Sequence, residues 1–268
     1  MLIRGGYDIV FEIPAPTCML LMLYVHPDRA RDLQQPERLT LAPAIPIDDF
    51  LDSFGNRCAR ILAPAGELRI TNDFVIRDWG VPDEYPTSAK YTPVEDLPRD
   101  ILPFLLSSRY CEVDRMSDLA WQLFGQTQPG WPRVRAVCDW AHNQVQFGYE
   151  HARNTRTAYE AYEERKGVCR DYMHLAVTMM RCMNVPARYA TGYLGDIGVP
   201  ISPSPMDFSA WFEVYLDGRW YTMDARHNVP RIGRILMARG RDAVDVALTT
   251  SFGPTILKKF DVVTDEMK

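Results

Sequence analysis

The chain has 268 residues, 47% of them hydrophobic and 24% charged, with a formal net charge of -5. That length accommodates two ordinary domains or one large one, and the balance is that of a soluble protein able to bury a core. The acidic excess argues against a nucleic-acid surface and against an anionic-membrane surface. Arg231, Arg234, Arg239 and Arg241 form a basic cluster that reads as a solvated face, although such a group could also receive a carboxylate.

The first hundred residues carry strand patterns. Residues 7–13 alternate, residues 17–25 are a continuous apolar run, and residues 38–41, 57–62 and 67–76 alternate again. Phe54-Gly55-Asn56 and Pro64-Ala65-Gly66 supply turns between them, and short antiparallel strands at this spacing predict a β-sandwich. The apolar run is far shorter than the roughly 20 residues a membrane helix needs, and the opening residues lack the order of a secretion signal. Five prolines between residues 82 and 103 mark a linker at about 79–103. The predicted domains are therefore 1–100, a β-sandwich, and 104–268, a second domain with a C-terminal extension.

Beyond the linker the period becomes helical. Ser117 is placed to cap a helix ending at Phe124, Pro132 opens the next, and residues 157–165 form a third. In the following segment Tyr172, Leu175, Ala176, Met179 and Met183 recur at helical spacing, until Asn184 and Pro186 stop the pattern. Cys169 thus falls in a first turn, where unpaired amides and the helix dipole favour a thiolate, the reactive form of a cysteine nucleophile. A buried structural cysteine is the competing reading, and it is the one assigned to Cys182, late on the same helix. Residues 187–194 alternate as a strand. Residues 207–216 and 219–224 flank Asp217-Gly218, a strong hairpin signal that sets residues near 209 and 224 at one end, facing the Cys169 helix.

The six cysteines include no Cys-x-x-Cys pair. Cys138 and His142 have half the spacing of a metal site but no second half, and there is no calcium-loop pattern. No metal and no cofactor are expected. Free thiols suggest a reducing cytoplasm.

Gly167-x-Cys169-x-Asp171, Asn184-Val-Pro-Ala-Arg188 with Gly192-Tyr193, Ala210-Trp211-x-Glu213-Val-Tyr215 and Trp220-Tyr-x-x-Asp224 together resemble the bacterial transglutaminase-like superfamily. The first half is similar to the β-sandwich preceding this core in one bacterial branch, with Asp52-Ser-Phe-Gly-Asn56 as its mark. The resemblance implies an α+β protein. In it an N-terminal antiparallel β-sandwich precedes a transglutaminase-like, papain-like core with a helix-borne cysteine packed on an antiparallel sheet. It also implies a Cys-His-Asp triad acting on peptide or amide bonds, with Cys169 as nucleophile and Asp224 as orienting carboxylate.

Where that family places its histidine, this chain has Ser209, which cannot act as a base near neutral pH. His174 lies about 140° around the helix from Cys169 and faces away. His227 follows Asp224 by three residues, about 10 Å along an extended strand. A bend after Asp224 would return its imidazole toward Cys169; a surface or structurally bonded histidine is the other reading. Two functions stand open. One is a thiol-dependent hydrolase or acyl transferase, with hydrolysis the default; the other is a non-catalytic domain that binds a peptide or amide ligand. Oligomeric state is not legible in the sequence.

Overall fold

A computed structural model of the chain describes residues 1–202 and 205–267. Six strands come first: β1 (Leu2–Ile13), β2 (Thr17–Leu21), β3 (Thr40–Ala42), β4 (Asp48–Leu51), β5 (Arg57–Ala63) and β6 (Gly66–Arg77). The core half then runs α1 (Val113–Phe124), α2 (Trp131–Gln144), β7 (Gln146–Phe147), α3 (Ala158–Glu164), β8 (Lys166–Gly167), α4 (Cys169–Cys182), β9 (Ala187–Tyr193), β10 (Ser209–Leu216), β11 (Arg219–Met223) and β12 (Ile235–Gly240). Strands β13 (Thr249–Ser251) and β14 (Ile256–Met267) finish the chain.

Strand period decides the first layer. Along β6, Leu68, Ile70, Phe74 and Ile76 are buried at alternating positions, and Ile3, Ile9 and Ile13 of β1 and Met19 and Leu21 of β2 join them in one apolar core. That core lies between two four-stranded antiparallel sheets, ordered β14-β1-β6-β3 and β13-β2-β5-β4, the expected α+β layout. The last two strands depart from the expected extension of the second domain. β14 pairs with β1 from Leu2↔Met267 to Glu12↔Ile256, and β13 pairs with β2. Without them β1 and β2 would each present an unpaired edge, so the chain returns to close the unit it started. Strand β4 was not foreseen: its residues are all exposed, so it has no apolar period to read.

Helix α4 packs against β9 and β10 of an antiparallel sheet ordered β11-β10-β9-β12, with α1, α2 and α3 around it. Leu175, Ala176, Met179, Tyr189, Phe212 and Val214 share that core. Helix α1 starts four residues before the expected Ser117 cap; the Ser117 hydroxyl instead donates to the Val113 carbonyl at 2.8 Å. Thr157 does cap α3, in a reciprocal arrangement with Glu160. The Asp217-Gly218 turn joins β10 to β11 with both residues at positive φ, 49° and 82°, as a tight hairpin requires.

The two units are joined by side chains as well as by the chain. Tyr193 and Phe208 pack on Phe74, Tyr7 and Phe260 of the two-sheet unit. Asn56, in the turn before β5, donates to the Arg239 carbonyl and accepts from the Arg239 N–H, both at 2.8 Å. Its neighbour Asp52 holds the same turn through the amides of Phe54 and Asn56.

Candidate active site

Cys169 stands at the first position of α4, part-exposed, at the end of a short parallel ladder in which β8 pairs with β7 as Gln146↔Lys166 and Phe147↔Gly167. Asp171 fixes this entry. Its buried carboxylate accepts from the Val168 N–H at 2.9 Å and from the Arg156 guanidinium at 3.0 Å. A Cβ on Gly167 would come within 2.5 Å of that carboxylate, so glycine is required two residues before the thiol. Asp171 is thus a positioning acid for the helix end, as expected of an acid in a first turn.

The thiol departs from the expected resting thiolate. Burial pushes Cys169 above the ordinary cysteine value and Asp207 pushes the same way, against Arg226 and the backbone of Ala210 and Arg170. Burial also raises the buried cysteines, taking Cys58, Cys111 and Cys182 to about 11 and Cys138 to about 12.

Ser209 opens β10 beside Ala210, opposite Gly192 of β9. Its hydroxyl is buried and, among the described residues, has no hydrogen-bond partner. Nothing here turns it into a base, and it does not reach Asp224.

Asp224, just past β11, is 2% exposed and has four donors. The N–H groups of Arg226 and His227 reach Oδ1 at 3.0 and 2.9 Å, and His227 Nδ1 and Arg234 Nη2 reach Oδ2 at 2.8 and 2.9 Å. Burial alone would raise this carboxyl; Arg234 and the bonded His227 outweigh it and hold it well below the usual carboxylate range. The chain bends here, with the Asn228 N–H donating to the Asp224 carbonyl at 2.9 Å. That bend brings the imidazole back onto the carboxylate, and the His227 side chain remains 25% exposed where the Asp224 side chain is 1% exposed. Cys169, Ser209, Asp207, Arg226 and His227 line one cleft of about 390 Å³.

The basic cluster is not a solvated face. Arg234 is buried, with Nε 2.9 Å from Asp83 and Nη2 on Asp224. Arg231 is buried with Nη2 on the Gly195 carbonyl, Arg239 pairs with Glu213 and Asp28, and Arg241 pairs with Asp245. Arg188, Glu213 and Arg239 form one ion-pair row across β9, β10 and β12, which gives the motif residues Arg188 and Glu213 a scaffold role. Sequence reasoning missed Asp83, in the proline-rich segment, which belongs to a chain of bonded side chains Asp83–Arg234–Asp224–His227. It also missed Arg226, next to the recognised Asp224.

The remaining histidines have other partners. His174 is buried between Tyr110 and Tyr189, its Nε2 accepting from the Ala243 N–H, and His142 bonds the Ala225 carbonyl through Nδ1. Cys138 and His142 make no metal site: among the described residues no group of three or more His, Cys, Asp or Glu side chains is arranged to hold an ion. No helix among the described residues is long and apolar enough to cross a membrane.

A cysteine at a helix N-terminus, packed on an antiparallel sheet whose next hairpin ends in a buried carboxylate, defines a papain-like thiol core. Comparison with known proteins points the same way. Residues 118–225 match the family model of the transglutaminase-like superfamily. A cysteine-protease candidate from Cytophaga hutchinsonii, solved at 1.9 Å, superposes with a TM-score of 0.86 at 29% identity, covering 100% of this chain and 91% of that one. An uncharacterised protein of Mycobacterium leprae (strain TN) is 27% identical over 117 residues, a match spanning 42% of each chain.

Proposed function

We propose that the protein is a thiol-dependent hydrolase of peptide or amide bonds, with Cys169 as nucleophile and His227 as relocated base. The observation that carries this reading is the 2.8 Å contact between His227 Nδ1 and Asp224 Oδ2 in the cleft that also holds Cys169. Asp224 fixes the tautomer with the proton on Nδ1, which leaves Nε2 as the basic nitrogen. In the acylation step the Cys169 proton passes to His227 Nε2 as Sγ bonds the carbonyl carbon. The C–N bond then breaks, and the departing amine takes the proton from the imidazolium. Water, deprotonated by the same nitrogen, hydrolyses the thioester and restores the thiol. Because the resting thiol is neutral, the base acts within each turnover rather than storing a thiolate beforehand.

Peptide or amide partners follow from this chemistry, and we extend the proposal to a cytoplasmic location, which the six free cysteines support. One observation favours a second reading, a peptide-binding domain without turnover: Ser209 occupies the family's histidine position with an unpartnered hydroxyl.

The deciding experiment compares His227→Ala with wild type on a set of peptide anilides, beside Cys169 alkylation at high pH as a check on the site. The expected result is a loss of about 10²- to 10⁴-fold in kcat with alkylation retained. Unchanged kcat would place the base elsewhere. Saturable peptide binding with no turnover in wild type would establish the binding reading instead.

A further inference from the structure

The arginines around the cleft differ in one respect. Arg234 lies between Asp83 and Asp224, and Arg231 pairs with Asp196 at 3.7 Å. The Arg226 guanidinium has no carboxylate within ion-pair distance among the described residues. Its charge acts instead on the Cys169 thiol and on Asp207.

This cation is built into place. The Arg226 N–H is committed to Asp224 Oδ1, which pins the backbone, and the guanidinium lies over the Phe147 ring at 3.8 Å from its centroid. Phe147 is in turn paired with Gly167, two residues before Cys169, and the Gly148 N–H donates to the Gly167 carbonyl at 3.1 Å. The aromatic shelf that carries the charge and the helix that carries the thiol are therefore clamped to each other. Stacking on a ring leaves the edge of a guanidinium free, and that edge presents parallel donors matched to a carboxylate. Asp207 also lines the cleft and acts on the thiol against Arg226, but it makes no ion pair with the guanidinium. A second cavity of about 250 Å³ shares Cys169, Asp207, Phe208 and Ser209 with the cleft; the rest of its wall, with Tyr189, Val246 and Leu248, is mainly apolar and has no cation. The two spaces beside the thiol thus differ in kind.

We propose that Arg226 makes the cleft selective for amides that carry a carboxylate within one residue of the scissile bond, such as a peptide's free C-terminus, with an uncharged group in the apolar cavity. This rests on Cys169 being the reacting centre, but the test does not require turnover. Iodoacetate and iodoacetamide both alkylate Cys169: the S–CH2 bond forms, iodide leaves, and the thiol proton goes to solvent. Only the first reagent places a carboxylate beside the sulfur. The ratio of the two rates cancels any change in thiolate fraction.

In Arg226→Gln the iodoacetate-to-iodoacetamide ratio should fall about five- to tenfold, as for a charge contact screened nearly as strongly as in bulk water. An unchanged ratio overturns the proposal. A second measurement needs only wild-type protein: trialanine with a free carboxylate should slow iodoacetamide alkylation at a concentration at least about fivefold lower than trialanine amide. Equal protection by acid and amide overturns the proposal as well. Unchanged turnover in His227→Ala, or no turnover in wild type, would touch neither ratio, so failure of the hydrolase reading and failure of this one are separable.

Discussion

In the two-sheet unit, Glu37 lies under the segment after β2 and accepts from the Val25 N–H at 2.9 Å and from Asn72. Burial raises it to about 7, further than those donors can pull it back. In the core, Asp224 is buried more deeply, yet Arg234 and His227 hold it well below the usual carboxylate range. Both carboxyls pay a desolvation cost. In one place no buried cation is supplied and the group drifts toward its neutral form; in the other a cation is supplied and the charge is kept. The difference teaches which buried acid can orient a histidine: only a carboxylate that stays ionised holds Nδ1–H and favours an imidazolium during turnover.

The comparison is broken most severely at Arg234. Replacing it with Gln leaves Asp83 and Asp224 buried without their shared cation, and a loss of about 3–5 kcal/mol in unfolding free energy is expected, read from urea denaturation at pH 7.5. A loss under about 1 kcal/mol would mean that the chain of ion pairs is not a structural unit. The corresponding change in the other unit has the opposite consequence. Glu37 has a folded pKa of about 7 against 4.5 when unfolded, so the native state binds more protons between those values. Stability from this group is complete below pH 4.5 and is lost as pH rises through 7, by about 3 kcal/mol. Glu37→Gln should therefore be less sensitive than wild type to a shift from pH 5 to pH 8. His26, which burial lowers to about 4, contributes the opposite slope between 4 and 6.5. It is present in both proteins, so the difference in urea midpoints isolates Glu37; parallel pH curves would refute the raised value.

The smallest effect is expected at Ser209. Asp224 Oδ2 is already taken by His227 and Arg234, so an imidazole added by Ser209→His gains no orienting carboxylate. Turnover should stay within about threefold of wild type, since an unoriented base contributes little. A rise of tenfold or more would show that position 209 is a vacated base site and that His227 is secondary.

Much of the site could be read before any coordinates were known, and the reason is that its signals are local. The period of α4, the stop at Asn184-Val-Pro186 and the Asp217-Gly218 turn each depend on residues a few positions apart, so Cys169 at a helix start and Asp224 at a hairpin end follow from neighbours in sequence. The bend that makes His227 a partner of Asp224 is also local, but nothing in Asp224-Ala-Arg-His distinguishes a turn from a strand that continues. The electrostatics were misread where burial mattered: the helix N-terminus predicts a lowered thiol, whereas packing around Cys169 raises it.

By itself, then, the sequence determined the main helices, most strands of the first hundred residues, the hairpin, the thiol on its helix and the α+β class, because backbone preference and hydrophobic period act over a few residues. Only the tertiary structure decided that β14 closes on β1, that Asp83 supports Arg234 across 151 positions of chain, and that Arg226 lies over Phe147 without an acid to match it. Those pairings are set by which surfaces must be covered and which buried charges must be compensated, and neither demand exists until the chain has folded.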